Sequence, residues 1–332
     1  MKNLWIGAIA VLVIAGGYFA FRGKSAPETP DTIRIGVIAP LTGIAADYGA
    51  EMKAGIEAAG GTNITFIYED DKCDPKEAVT AYKKLTEIDK VSLIVGPACG
   101  SPQEAIAPLL AGTDILVIVP SAASETLYET SGGNMYNMQY ALEREAEFLA
   151  GQLYDGLGYE KIALVTYQNA FSKVLADSFK KAYRGEVKKE ISFAGMTPDI
   201  SSELLKLKGE GYDAIFSTDI SFFFAQGTKK LAELGIKQPV FSSYAVELPA
   251  LRPLVEGVGY SYPADMEENG KGAIWNLAKQ SVELIVAEMR FCKGSISCAK
   301  TSIADGSAFD ESGASIRKLV LKRITKGVPE EY

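Results

Sequence analysis

From residue 33 onward the chain alternates short β-branched runs with amphipathic stretches, and it does so twice over. "TIRIGVI" is followed by the glycine-bearing loop "APLTGIAADYG" and the helical "AEMKAGIEAA". "NITFIYE" precedes a helix expected over residues 75–88, "SLIVGP" precedes "SPQEAIAPLLA", and "DILVIVPS" precedes "ASETLYE". Parallel strands need a crossover between them, so strand and helix taking turns at this spacing predict βαβ units on a parallel sheet. The pattern restarts near Ala141. "EREAEFLAGQLYDGL" leads to "KIALVTYQNAFSKVLADSFKKAY", then to a strand over 187–193, a helix over 201–209, the strand "DAIFST", a helix ending at Leu234-Gly235, and the runs "QPVFSS" and "GVGYSY". A long helix, "AIWNLAKQSVELIVAEMRFC", and a strand within "ASIRKLVLKRIT" complete the chain. The expected fold is α/β in two lobes, each a doubly wound, mainly parallel sheet, and each opening with strand, loop, aromatic (Tyr48 or Phe171) and helix. Open sheets of this kind bind ligands beyond the carboxyl ends of their strands. Two such sheets facing one another would wall a single cleft.

Composition narrows what the cleft could do. The 332 residues suffice for two domains. With no histidine in the chain, Ser-His-Asp and Cys-His catalysis and a histidine pH switch are excluded. A doubly wound hydrolase would show a GxSxG elbow, and none occurs. The net charge of −8 argues against a nucleic-acid partner. No catalytic residue, metal site or cofactor is therefore expected.

Residues 1–26 stand apart. Residues 4–21 form an uninterrupted apolar run, with Lys2 before it and Arg22 and Lys24 after it. The run is marginal for a membrane span and long for a cleavable signal core. Tyr18 would occupy the −3 position of a cleavage after Ala20, Pro27 follows Ala26, and no cysteine follows the run to carry a lipid. An uncleaved signal-anchor is the first expectation and a cleaved signal the second, with residues 27–31 as linker. Four cysteines behind an export segment favour disulfides in an oxidising compartment, and two pairs suggest themselves, Cys73 with Cys99 and Cys292 with Cys298. Zinc held by four convergent thiolates is the competing reading, weakened by the distance between the pairs and the absence of CxxC. The body of the chain is expected outside the cytoplasm, held to the cytoplasmic membrane by its N-terminal helix. Within "YEDDKCDPKEA", Asp74 suits an N-cap and Pro75 the first helical position, which fixes Cys73 in the turn just ahead of a helix.

"IRIGVIAPLTGIAADYG", "DDKCDPKEAV", "IVGPACGS" and "VPSAASETL", in that order, resemble the leucine/isoleucine/valine-binding protein family, the type I periplasmic solute-binding proteins of ABC transporters. The resemblance continues through "KIALVTYQNAFSKVLADSF" and "DAIFSTDISFFFAQGTKKLAELGIK" to "AFDESGASIRKLVLKRITKG", nearly everything after Asp31. Its specific part is the pairing of "DDxCDP" with "GPxC". It implies a Cys73–Cys99 disulfide beside the ligand site. It also implies one lobe of residues 32–140 and 264–314 and another of 141–263 and 315–332. The protein would act as a monomer, closing on an amino acid or related small carboxylate-bearing ligand and serving ABC permease subunits. A ligand-sensing domain without a transport role is the alternative.

For the site, the resemblance places a ligand carboxylate on the first lobe, near Gly100 and Ser101 and near Ser121, Ala122, Ala123 and Ser124, where hydroxyls and helix-start amides would hold it. Ser101 could equally cap its own helix through "SPQE", and Ser121 and Ser124 could be plain caps. Tyr48 and Phe171 match aromatics that close over a ligand. Two positions depart from the pattern: Tyr244 stands where an ammonium-binding acid is expected, and Ile220 where a tyrosine is. A buried ammonium without a carboxylate is costly, so Asp219 or Glu247 would have to replace the acid, or the ligand is not a simple α-amino acid.

Overall fold

The computed structural model describes residues 32–43, 45–194, 200–266 and 271–332. The expected membrane anchor lies outside them. Among the described residues no helix is long and apolar enough to cross a membrane. In the first half, β1 (Ile33–Ala39), α1 (Ala46–Ala58), β2 (Ile64–Asp70), α2 (Pro75–Lys83), β3 (Leu93–Val95), α3 (Gly100–Leu110), β4 (Leu116–Val119), α4 (Thr126–Thr130) and β5 (Met135–Asn137) follow one another. Their strands form a wholly parallel sheet in the order β2-β1-β3-β4-β5. Next come α5 (Leu142–Gly151), β6 (Lys161–Tyr167), α6 (Ala170–Ala182), β7 (Glu186–Phe193), α7 (Ser201–Leu205), β8 (Ala214–Ser217), α8 (Ser221–Phe224), α9 (Gly227–Glu233), β9 (Val240–Ser242) and β10 (Gly259–Pro263). After α10 (Ala273–Phe291) and α11 (Ile296–Asp305), the hairpin β11 (Leu319–Thr325) and β12 (Val328–Glu331) adds two antiparallel strands to the second sheet. Its order is β12-β11-β10-β9-β8-β6-β7.

Alternation along the central strands explains why both sheets are covered on both faces. Ile35, Val37 and Ala39 pack into one layer, while Ile38 joins Ile94, Leu85, Ile106 and Leu110 in another. In the second sheet Ala163 and Val165 face one layer, and Ile162 and Leu164 meet Leu149, Leu175 and Phe179 in the other. Successive side chains of a strand point to opposite faces, so a run apolar throughout demands helices on both sides. The chain also returns to its first half. Helix α10 lies against α1 so closely that a Cβ on Gly55 would fall 2.1 Å from the Trp275 carbonyl oxygen. Only glycine allows that backbone approach.

Two expectations on boundaries change, and one helix, α11, lies outside the pattern read from the sequence. The helix expected over 75–88 ends as α-helix at Lys83 and closes in a π turn, Lys84–Ile88. The helix expected over 201–209 is the single short α7. "CKGSISC" is no open loop: the Ser295 side chain accepts the Cys298 N–H and caps α11. Both cysteine pairs are bonded, Cys73 to Cys99 and Cys292 to Cys298. Asp71 accepts the Cys73 N–H at 2.9 Å, and Asp74 caps α2 through the N–H groups of Lys76 and Glu77. The first disulfide thus ties the turn after β2 to the start of α3.

One carboxylate of the second lobe, that of Glu145, is wholly buried. Glu145 of α5 accepts the Ser261 hydroxyl, the Tyr244 N–H at 3.1 Å and the Tyr140 hydroxyl at 3.4 Å through one oxygen. Its other oxygen has no hydrogen-bond partner among the described residues. Burial pushes this carboxyl from 4.5 up to about 7, against the opposing effect of its hydrogen bonds.

On the chain-entropy account, a cross-link over a separation of 26 residues stabilises by about 3–4 kcal/mol and one over 6 by about 2 kcal/mol. Urea unfolding of Cys73→Ser/Cys99→Ser should accordingly show the larger loss, and Cys292→Ser/Cys298→Ser the smaller. For Glu145, the folded state holds the proton more tightly than the unfolded chain does. Its stabilising contribution is therefore complete below pH 4.5 and lost as pH rises through about 7. Between pH 5 and pH 8 the wild type should lose about 2–3 kcal/mol relative to Glu145→Gln. A constant difference between the two proteins would show that Glu145 does not titrate in this range.

Candidate functional site

Between the strand ends of the two sheets lies a cavity of about 270 Å³. The first lobe contributes the start of α1, with Asp47 and Tyr48, then Cys73 and Cys99 of the disulfide, and Gly100, Ser101 and Pro102 of α3. From the second lobe come Tyr167 at the end of β6, Asn169 after it, Phe171 of α6, residues 219–221 after β8, Phe224, and Tyr244, Ala245 and Leu248 after β9. Carboxyl ends of parallel strands meet here because each strand leaves its sheet into a helix start at this edge. The lobes touch: a Cβ on Gly100 would stand 3.2 Å from the Phe171 backbone nitrogen. A serine at position 100 would crowd the start of α6, which gives the glycine there a steric reason.

The second-lobe wall is a linked set of caps. Asn169 accepts the Ser172 N–H at 2.8 Å and so caps α6. Its amide nitrogen donates to Asp219 Oδ2 at 2.7 Å. Asp219 Oδ1 accepts the Ser221 N–H, also at 2.7 Å. The carboxylate is thereby fixed in the wall, 8% exposed. Tyr167 beside it is 3% exposed, stacked on Phe193, and its hydroxyl has no hydrogen-bond partner among the described residues. Burial, with the nearby Asp219 charge, raises this phenol further above its ordinary value of 10.

Tyr244 spans the junction. Its N–H is held by Glu145, its ring meets Tyr140 edge-on, and its hydroxyl accepts the Ala122 N–H at 2.9 Å and lies 3.4 Å from the Tyr48 hydroxyl. Desolvation pushes Tyr48 up to about 12 and Tyr244 well above its ordinary range, so both are neutral phenols at physiological pH.

Of the residues singled out from sequence, Tyr48, Gly100, Ser101, Phe171, Asp219, Ile220 and Tyr244 line the cavity. Ser121, Ala122, Ala123 and Ser124 do not. The Ser121 hydroxyl donates to the Ala98 carbonyl at 2.9 Å and accepts from Gln103 at 2.8 Å. Ala122 and Ala123 are buried, with the Ala122 amide taken by Tyr244. Ser124 donates to Glu143 at 2.7 Å. Ser101 is not the cap of its helix: α3 begins one residue earlier, after Cys99, which makes no side-chain cap. Glu247 accepts the Tyr260 hydroxyl away from the cavity, and burial raises its carboxyl. Asp219 is therefore the acid the second lobe presents. Sequence reasoning passed over Asp47, Tyr167, Asn169, Phe224 and Leu248. Asn169 was detectable, since it follows the strand "KIALVTY" and precedes Ser172 by three residues.

A model of the periplasmic binding protein family matches residues 32–266. Leu/Ile/Val-binding protein homolog 2 of Brucella abortus is 26% identical over 293 residues, 82% of this chain and 75% of that protein. Homolog 3 of Brucella melitensis is 27% identical over 197 residues, and there the match spans about half of each protein, 55% and 53%. Among solved structures, a leucine-binding protein of Thermotoga maritima superposes with a TM-score of 0.82 at 18% identity, covering 90% of this chain and 97% of that one. A solute-binding protein of an ABC transporter from R. palustris, solved with benzoate, gives 0.79 at 18% identity, covering 90% and 95%. Fold, strand-end cleft and the extent of the family match agree: the chain belongs to the type I periplasmic binding proteins of the leucine/isoleucine/valine-binding family.

Proposed function

We propose that this protein is the extracytoplasmic substrate-binding component of an ABC transporter, closing its lobes over an amino acid or a related small polar ligand and presenting the closed form to permease subunits. The observation that carries the reading is the cavity between the two sheets, walled from both sides by strand-end loops and helix starts. Its volume of about 270 Å³ suits a ligand the size of an amino acid. The Brucella relatives, named as Leu/Ile/Val-binding protein homologs, support an amino-acid-like ligand.

On this reading, residues 32–140 with 264–314 move as one lobe and 141–263 with 315–332 as the other, and the chain crossings between them act as the hinge. Ligand contacts fall to Tyr48, Gly100, Ser101, Phe171, Asp219, Ile220 and Tyr244. Residues 1–26 tether the lobes to the outer face of the cytoplasmic membrane, and the protein works as a monomer. Closure follows from ordinary linkage: a ligand that touches both lobes favours the state in which both walls are within reach.

A thermal-shift screen over amino acids, amides and small carboxylates tests this directly. A ligand at one hundred times its Kd should add about 2.7 kcal/mol to the stability of the folded state. Phe171→Ala should weaken that ligand at least tenfold by calorimetry, because the ring contributes to the cavity wall from the second lobe. A screen with no shift in any class would contradict the reading, as would full affinity in Phe171→Ala.

A further inference from the structure

We propose that the group recognised in this cavity is an amine cation, and that the preferred ligand is an amine without a free carboxylate. The proposal rests on the solute-binding reading above and names the ligand class of that same site.

Three independent features of the wall point the same way. The first is charge. Asp219 stands in the wall at 8% exposure and Asp47 at its rim, while no lysine or arginine lines the cavity among the described residues and the chain has no histidine. A ligand carboxylate would meet two acids there and no cationic side chain, with the Ser101 hydroxyl and the start of α3 as the neutral donors to offset the repulsion. Asp219 has two neutral donors, the Asn169 amide and the Ser221 N–H. An ionised carboxylate has room for about four. A third donor carrying positive charge would extend that shell and compensate its desolvation.

The second feature is aromatic. Tyr48, Tyr167, Phe171, Phe224 and Tyr244 all contribute to a cavity of about 270 Å³. Ring faces attract a cation through their quadrupole, most strongly where water is excluded. The buried, unpartnered Tyr167 hydroxyl adds a polar atom beside Asp219 that can accept from an ammonium.

The third feature concerns what is already taken. The Ala122 N–H, a backbone donor that could hold a carboxylate, is occupied by the Tyr244 hydroxyl. Ser121 and Ser124 spend their hydroxyls on Ala98 and Glu143. Tyr244 thus takes one backbone donor that an acid could have used, which leaves the start of α3 with Ser101 as the first-lobe donors and Asp219 as the buried acid of the wall.

The test is calorimetry on the intact chain with two matched sets of probes: 3-methylbutylamine, leucine and 4-methylpentanoate; then phenethylamine, phenylalanine and 3-phenylpropanoate. In each set the amine should bind at least tenfold tighter than the acid and tighter than the amino acid. Asp219→Asn should weaken the amine ten- to a hundredfold, the range for loss of one charged hydrogen-bond partner. Asp47→Asn, at the exposed rim, should weaken it less and should reduce the dependence of affinity on salt. The second variant keeps the test valid if the first fails to fold. Tighter binding of an acid or amino acid than of its matched amine would overturn the proposal and leave the solute-binding reading intact. So would unchanged amine affinity in Asp219→Asn, or silence from both amines alongside binding of another solute. Silence from every probe and from the wider screen would overturn both.

Discussion

Tyr244 is held at its two ends by opposite halves of the molecule. Glu145 takes its N–H within the second lobe, and the Ala122 amide of the first lobe donates to its hydroxyl. Neither end can be left unmet, because a buried polar group without a partner costs on the order of 1–3 kcal/mol. The residue is 1% exposed, so water cannot stand in for either partner. That requirement seats the tyrosine in the cleft, and the shape of the remaining cavity follows from it. What is left lies between Asp219, the ring of Phe171 and the start of α3.

The same requirement organises the residues behind Tyr244. Glu145 is shared by Ser261, Tyr140 and the Tyr244 N–H, so one carboxylate links α5, β10 and the turn after β9. Its cost is visible in the carboxyl held at about 7 and in the oxygen without a partner. On the other side, the Cys73–Cys99 disulfide fixes the loops that form the first-lobe wall. Both walls are thus pinned by bonds between residues distant in sequence, while the cavity between them stays open.

Much of the fold was legible from the sequence because burial on both faces writes itself as apolar runs. β1, β6 and the helices between them are read off the order of strand and helix signals. β5 was not, since three residues leave no period to detect. α11 was hidden behind serines and glycine that look like loop but supply a cap at Ser295. The site was legible in part. Tyr48 and Phe171 stand in the first turns of helices that follow β1 and β6, and Asp219 just after β8, on the side where a parallel sheet puts its ligand contacts. The fate of residues 121–124 was not legible. Whether their hydroxyls and amides face a ligand depends on Gln103, Glu143 and Tyr244, and the last of these bonds joins residues 122 positions apart. No local pattern records such a contact.

A crystal structure of the protein with its best-binding solute should show ligand density between the Asp219 carboxylate and the Phe171 ring, with the Tyr244 hydroxyl still on the Ala122 amide. A ligand carboxylate on the Ala122 amide, with Tyr244 swung out of the cleft, would contradict this arrangement.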